Sequence, residues 1–582
     1  MLQINTFYRE NIKKYYYGYN SNAFDKSNTI KYLNNYELFN SADYIKEIFD
    51  EILSDISSYL NNVHSKKFNI NFWKILISPW LLDILMITYE RKYFCNQFLN
   101  DNKFTINFIN PPKKIDYFYK DLFHKVQTDD FNEYLLYEII KTYSKNNISE
   151  TIDIEINKIT ENKHIFIKSN FRKKNEELKN KYTFLAKILN KFQTILIQKF
   201  FKNKKSGNYL FLPSFNFSKY LILFLRYNFK FYLINTLSKY EIKNGNNFLK
   251  EKNILINTKN HNFKNNYTNL LIKFLPLDYL EHFRSYLNFA ENFNNNNNIK
   301  KMYVRSPIET FPEIRFISAL ISFNKKKIFA SQHGGQYNNY PNHPLDYIEK
   351  NLCDKYFVWS KKGLQNNNKQ IINIGCTNLN WKTFFNKYNK NGNIIIIGSP
   401  LRRYYGGAYS YSNYYTNDYL IRMKSFLDLC NDQILKNVVY RSGWNFGVDI
   451  NSHFKKYKNL SISKREDKSH AFELISKAKL SIINYNSTTW LQLADVNFPF
   501  ILFLDSNYDL STCLNKNLFK QMEKNNLLFY DPKKLYLHIN QIDSNILQWW
   551  NSKNVQKIIV LIKDEFINKF SITKFKEHFN ND

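Results

Sequence analysis

The chain has 582 residues, too many for one hydrophobic core, and its 44% hydrophobic and 18% aromatic content excludes a disordered protein. Lys and Arg number 83 against 50 Asp and Glu, a formal charge of +33 that points to an acidic partner: nucleic acid, an anionic membrane face or a phosphorylated substrate. The same excess has a compositional source, since the chain is saturated with Lys, Asn, Ile, Phe and Tyr and carries a pure Asn run at Asn294–Asn298.

Residues 1–160 are expected to be helical, an elaboration ahead of the first α/β unit. The opening MLQINTFYRENIKKYYYGYN has no apolar core of a secretory signal. Ile45, Ile48, Phe49, Ile52 and Leu53 follow the three-to-four spacing of one helix face. Ser78-Pro79 suits the start of a second, mostly buried helix. No run of about 18 uncharged apolar residues occurs, so no transmembrane helix is expected. The five cysteines, Cys95, Cys353, Cys376, Cys430 and Cys513, have no metal-ligand spacing and read as structural thiols of a reduced, cytoplasmic protein.

From about residue 205 short apolar runs alternate with helices. Strands are expected at 208–212, 230–234, 301–305 and 326–331, with helices at 217–227 and 310–324. The alternation restarts with runs at 355–359, 370–375, 393–398, 437–441, 480–485 and 498–504. Alternating βα units predict parallel sheets, so the fold class is α/β, with two Rossmann-type units facing a cleft. The expected limits are 161–345 for the first unit, on the acceptor side, and 346–582 for the second, on the donor side. Ligands of such sheets bind at the carboxyl ends of strands.

Four stretches lie at such ends. In IFASQHGGQYNN (328–339), His333 follows a strand and precedes two of only 13 glycines. A glycine allows φ > 0 and close approach of a ligand, and histidine suits proton transfer; the plain alternative is a turn with an incidental histidine. In INYNSTTW, Asn486, Ser487 and Thr488 open a helix, either as ordinary caps or as a phosphate cradle of backbone N–H groups. In IIIIGSPLRRYYGG, Ser399, Arg402 and Arg403 form an anion site or a solvated arginine pair, and Arg441 in VVYRSGW lies on the same edge. No nucleotide-loop, zinc-protease or carboxylate-cluster signature occurs, so neither a metal nor a cofactor is expected.

As a set, these stretches resemble a bacterial family of surface-carbohydrate transferases associated with O-antigen-type polysaccharides. LNNVHSKKFNINFWKILISPWL (60–81) resembles its N-terminal signature, with Ser78 where glycine is expected, and FASQHGGQYNN its central one. DKYFVWS (354–360), VVYRSGWNFGVD (438–449) and residues 474–503 follow in order. The family's usual opening strand with a Trp-Cys is not found in residues 1–30. More distantly, the second half is similar to CDP-glycerol glycerophosphotransferases and glycosyltransferases of the two-domain GT-B type. Those enzymes carry a strand-end His-Gly-Thr with a basic histidine and an Asp-Tyr-Ser-Ser turn that holds donor phosphate. His333-Gly334-Gly335 and Asn484-Tyr485-Asn486-Ser487-Thr488 match them in position. Asn484 replaces the usual aspartate, and Arg441 stands near a usual His-Pro, which leaves the donor open.

The resemblance implies a transferase moving a sugar or alditol phosphate from a nucleotide-activated donor to a glycan or lipid-linked acceptor, in the cytoplasm at the inner membrane face. His333 is the implied base. Gln332, Gly334, Gly335, Ser399, Arg402, Arg403, Arg441, Asn486, Ser487 and Thr488 are the implied donor contacts. A sugar-nucleotide epimerase or hydrolase on the same fold is one alternative. A basic nucleic-acid-binding protein is another, although no RNA- or DNA-binding signature occurs and no nucleic acid is expected.

Overall fold

The computed structural model describes residues 35–99, 114–144, 208–211, 230–232, 265–306, 311–335, 337, 344–361, 370–377, 388–407, 413–444, 446–464, 471–486, 488–506 and 511–580. The helix expected at 217–227 and residue Ser487 lie outside them.

Six parallel strands form the first sheet: β1 (Asn208–Phe211), β2 (Lys230–Tyr232), β3 (Lys301–Val304), β4 (Lys327–Ser331), β5 (Lys355–Val358) and β6 (Ile371–Asn373), in the order β2-β1-β3-β4-β5-β6. Six more form the second: β7 (Ile394–Ile397), β8 (Val438–Arg441), β9 (Ser461–Ser463), β10 (Leu480–Ile483), β11 (Phe500–Phe503) and β12 (Leu528–Phe529), in the order β12-β11-β10-β7-β8-β9. Residues of β7, β10 and β11 are buried along their whole length, as strands covered on both faces require. The expected α/β class with two Rossmann-type sheets is what the chain forms.

The changeover between sheets falls between residues 373 and 394, because β5 and β6 extend the first sheet. The limit expected at 345/346 is therefore displaced. The C-terminal helix Ile572–Asn580 also returns to the first sheet, where Phe575 and Phe579 pack on Tyr303, Phe329 and Phe357.

The N-terminal region is helical where it is described. Helix α1 (Asn35–Val63) and helix α2 (Ile70–Leu99) pack on each other, and α2 also packs on α3 (Asp129–Ser144) and on α4 (Pro312–Phe323) of the first sheet. Pro79 does not open a helix: it lies inside α2. A proline there removes one helix hydrogen bond and displaces carbonyls of the preceding turn. In that turn the Leu76 carbonyl accepts the Tyr279 hydroxyl at 3.0 Å and Arg315 Nε at 2.9 Å, which tie the helix at the proline to its neighbours. By length and composition α2 could cross a membrane, yet 83% of its apolar window is buried in the fold. Its buried Arg91 is held by Asn132 (2.7 Å and 3.2 Å) and Glu90 (3.0 Å), as a core charge must be.

Two histidines belong to the packing. His64 stacks on Phe283 with ring centroids 3.9 Å apart and places Nε2 2.8 Å from the Tyr279 carbonyl. His538 lies against Phe529 and Trp549, and neither ring nitrogen has a partner among the described residues. Burial drives both down to about 4. In the unfolded chain they protonate near the ordinary 6.5, so between these values the unfolded state binds more protons. Their stabilising contribution is complete above about pH 6.5 and is lost as pH falls toward 4. Replacing His538 with Phe, which keeps an aromatic ring against Phe529, should flatten this acid slope by up to about 1.4 kcal/mol per pH unit, one proton's worth. Urea titrations at several pH values read it; an unaltered slope would show that His538 protonates freely in the fold.

Candidate functional site

The strand register sets one edge. Ile397 of β7 pairs with Arg441 of β8 and Ile483 of β10, so Gly398, Ser442 and Asn484 emerge side by side at the carboxyl edge of the second sheet. The chain runs β7-β8-β9 in one direction and β10-β11-β12 in the other, so the order reverses between β7 and β10. That is where open α/β sheets leave a crevice for ligands.

In the first sheet, β4 ends at Ser331 and the next residue is fastened. Gln332 N–H donates to the Phe357 carbonyl at 2.9 Å. Its side-chain Nε2 donates to the Gly334 carbonyl at 2.8 Å and its Oε1 accepts Trp359 N–H at 3.1 Å. Gln332 is 4% exposed, so it staples the turn rather than offering a donor contact. His333 follows, with its side chain 24% exposed. Its Nδ1 lies 2.7 Å from the Tyr337 hydroxyl, which donates to Glu349 Oε1 at 2.7 Å. Glu349 sits on helix α5 (Pro344–Asn351), is fully buried, and takes the Tyr356 hydroxyl on its other oxygen. Tyr337, Glu349 and Tyr356 had no sequence signal, because they belong to a turn, a helix and a strand that meet only in the fold.

The glycines serve close approach. Gly334 does not take a positive φ, so the left-handed turn expected there is not formed; among the described residues only Gly375, Gly407 and Gly447 are positive-φ glycines. A Cβ on Gly334 would meet Thr488 Oγ1 at 3.4 Å and the Tyr337 ring at 3.8 Å, ordinary van der Waals contact. Gly335 N–H donates to Thr488 Oγ1 at 2.9 Å. Thr488 is the first residue of α6 (Thr488–Asp495), which follows β10, so the two expected motifs touch across the sheets.

Asn486, beside this contact, accepts Trp490 Nε1 at 3.0 Å on Oδ1, while its Nδ2 is buried without a partner among the described residues. Asn484 donates to Met423 Sδ at 3.0 Å and leaves Oδ1 without one. Ser399 is 2% exposed with an unpartnered hydroxyl.

The arginines divide. Arg403 is committed to Asp129, with contacts of 3.0 Å and 2.8 Å, and Arg441 donates to Ser463 Oγ at 2.8 Å and to the Lys464 carbonyl. Both fasten the fold, unlike the donor contacts expected of them. Arg402 stacks its guanidinium 4.2 Å from the Phe446 ring and keeps Nη1 buried without a partner among the described residues. Burial lowers its pKa to about 10, against the pull of nearby Asp83, so it stays charged at neutral pH. A cavity of about 50 Å³ at the ends of β7, β8 and β9 is lined by Ser399, Ser442, Trp444, Asp449 and Lys464 among others. Trp444, 43% exposed, lies within the VVYRSGWNFGVD stretch but had not been singled out.

No curated protein matches the chain in sequence. Among solved structures it is similar to MurG from Acinetobacter baumannii, at 9% identity and a TM-score of 0.34 over 64% of this chain and 99% of that one. It is also similar to the wall teichoic acid polymerase TagF, at 10% identity and 0.31 over 72% and 97%. A third is the UDP-GlcNAc 2-epimerase from Neisseria meningitidis bound to UDP-GlcNAc, at 10% identity and 0.31 over 48% and 80%. Likeness at this level leaves the chemistry to be argued from the residues. The family profile of LIC12162 family transferases matches residues 7–574, nearly the whole length, and the chain belongs to that family.

Proposed function

We propose that this transferase moves a sugar or alditol-phosphate group from a nucleotide-activated donor to a surface-glycan or lipid-linked acceptor, with the donor phosphate at the start of α6 and His333 as the base. The observation that carries the reading is the grouping of Ser399 Oγ, Asn484 Oδ1 and Asn486 Nδ2, three buried polar atoms without partners among the described residues, at the ends of β7 and β10. Buried polar atoms are ordinarily satisfied, and leaving one unmet costs about 1–3 kcal/mol. Three at the strand-order reversal, in the segments that end β7 and lead from β10 into α6, are accounted for by a polar ligand that supplies their partners.

In this reading the acceptor oxygen bonds to the transferred carbon or phosphorus as the bond to the leaving phosphate oxygen breaks, and that oxygen keeps the electron pair. His333 takes the acceptor proton. The N–H groups of α6 and the Thr488 hydroxyl stabilise the departing negative charge, and Arg402 adds positive charge nearby. The small cavity beside Trp444 lies on the same strand-end edge as Ser399. The +33 charge suits the cytoplasmic face of an anionic membrane, where lipid-linked acceptors reside.

Two measurements test this. Sugar nucleotides and CDP-alditols are screened for a rise in melting temperature, and Thr488→Ala should weaken binding of the stabilising donor by about 1–3 kcal/mol, one or two hydrogen bonds to a charged group. Unchanged affinity in the folded variant would reduce Thr488 to a link between sheets. His333→Ala should keep its melting temperature and donor affinity while turnover falls by roughly 10²–10⁴. Parent-level turnover would remove His333 from the chemistry, and donor cleavage in the absence of any acceptor would favour an epimerase or hydrolase.

A further inference from the structure

We infer that Asn484 and Asn486 present opposite polarities to the donor: Asn484 accepts a hydrogen bond from a ligand hydroxyl, and Asn486 donates one to a ligand phosphate. This rests on the reading that the ends of β7 and β10 hold a nucleotide-activated donor. An amide side chain donates at one end and accepts at the other, and the groups beside it decide which end faces a ligand. Here each neighbour has a single polarity. Met423, on the helix Asn413–Leu429, places Sδ 3.0 Å from Asn484 Nδ2. A thioether has no hydrogen to give, so the amide turns Nδ2 to the sulfur and Oδ1 away from it. Trp490, on α6, places Nε1 3.0 Å from Asn486 Oδ1. An indole N–H only donates, so this amide turns Oδ1 to the ring and leaves Nδ2 over. The two remaining atoms, Asn484 Oδ1 and Asn486 Nδ2, are both buried without a partner among the described residues. The main chain holds the first of them in place: Asn484 N–H donates to the Ile397 carbonyl at 3.1 Å, and its carbonyl accepts the Tyr415 hydroxyl at 3.5 Å.

The consequence is a requirement on the ligand. The linked phosphates of a nucleotide donor are ionised at neutral pH and carry no proton. Their oxygens accept hydrogen bonds, which suits Asn486 Nδ2, two residues before the start of α6 at Thr488. They have nothing to give Asn484 Oδ1. That atom needs a hydrogen, and the groups nearest the phosphates of a sugar or alditol nucleotide that carry one are hydroxyls, on the ribose or on the group transferred. A ligand that met the phosphate site alone would leave a buried acceptor unsatisfied, which disfavours it against one that brings the hydroxyl as well.

The test makes the same two substitutions at both positions. Asp keeps the shape and makes both ends acceptors, whereas Leu has neither polarity. Calorimetry reads the affinities for UDP, UDP-glucose, CDP and CDP-glycerol. Asn484→Leu should weaken the bound donor roughly 3–10-fold, one hydrogen bond's worth, and Asn484→Asp should bind more tightly than Asn484→Leu. At 486 the order should reverse: Asn486→Asp, which turns a carboxylate toward phosphate, should cost roughly 10–100-fold, and Asn486→Leu less. A loss at 484 shared by UDP or CDP assigns the hydroxyl to the ribose, and a loss confined to UDP-glucose or CDP-glycerol assigns it to the transferred group. Melting curves check folding. Should a variant at either position not fold, Met423→Leu decides, because it keeps the bulk but frees the Asn484 amide to turn: weakened donor binding upholds the inference and parent affinity overturns it. The same order of Asp and Leu at both positions overturns the inference and leaves the donor reading standing. A parent that binds none of the four nucleotides removes the donor reading and the inference with it.

Discussion

The hydrogen bond from Gly335 N–H to Thr488 Oγ1 is the constraint on which the site depends, since it is where the carboxyl edges of the two sheets touch. One such bond is worth about 1 kcal/mol and cannot hold two sheets together. The holding is done elsewhere, by the loop after β7. Tyr404 exchanges two hydrogen bonds with the Gln127 side chain, both 3.0 Å, and Arg403 grips Asp129 with two nitrogens. Burial raises the Asp129 carboxyl, while Arg403 pulls it down, as a desolvated but paired charge should behave. The N-terminal helices are thus a clamp: they pack on α4 of the first sheet and grasp the loop that leaves the second. Residues 568–580 run back in the other direction, from Asn568 N–H on the Trp359 carbonyl to Phe579 on Phe329.

This clamp explains which parts were legible in the sequence. Apolar runs bounded by polar turns reported ten of the twelve strands among the described residues, because a strand buried on both faces must be apolar along its length. The two that escaped, β9 and β12, are the outer strands of the second sheet: β9 reads Ser-Ile-Ser and β12 has two residues. The first lacks the burial that makes a strand visible, and the second, though buried, is too short to form an apolar run. Ser78-Pro79 misled because a proline also sits inside a helix that outside contacts hold, and Tyr279 and Arg315, more than two hundred residues along the chain, supply them here.

The arginines show the same limit on a finer scale. Arg402 and Arg403 are adjacent and chemically identical, yet one stacks on Phe446 with a free nitrogen and the other is consumed by Asp129. Local sequence places both on a strand end. Only the partner, brought in by another element, decides between ligand contact and fold fastening. His333 was legible because strand, histidine and glycines are consecutive, whereas the Tyr337, Glu349 and Tyr356 that surround it are assembled by packing and leave no pattern.

The glycines carry the argument one step further. The chain has only 13, and two of those described sit where nothing else fits. Gly407 adopts φ +97° and a side chain there would meet Asp83 of α2 at 2.7 Å; Gly375 adopts φ +83° and would meet the Lys569 carbonyl at 2.3 Å. The first is the clamp between helices and second sheet, and the second is the return of the C-terminus to the first. Both conditions, left-handed backbone and contact at the bare Cα, exclude other residues. Gly334 differs from them: its backbone would accept a side chain, and its bare Cα lies against Thr488 and Tyr337. The first two glycines therefore answer to the assembly of the two sheets, and Gly334 to what happens where they meet.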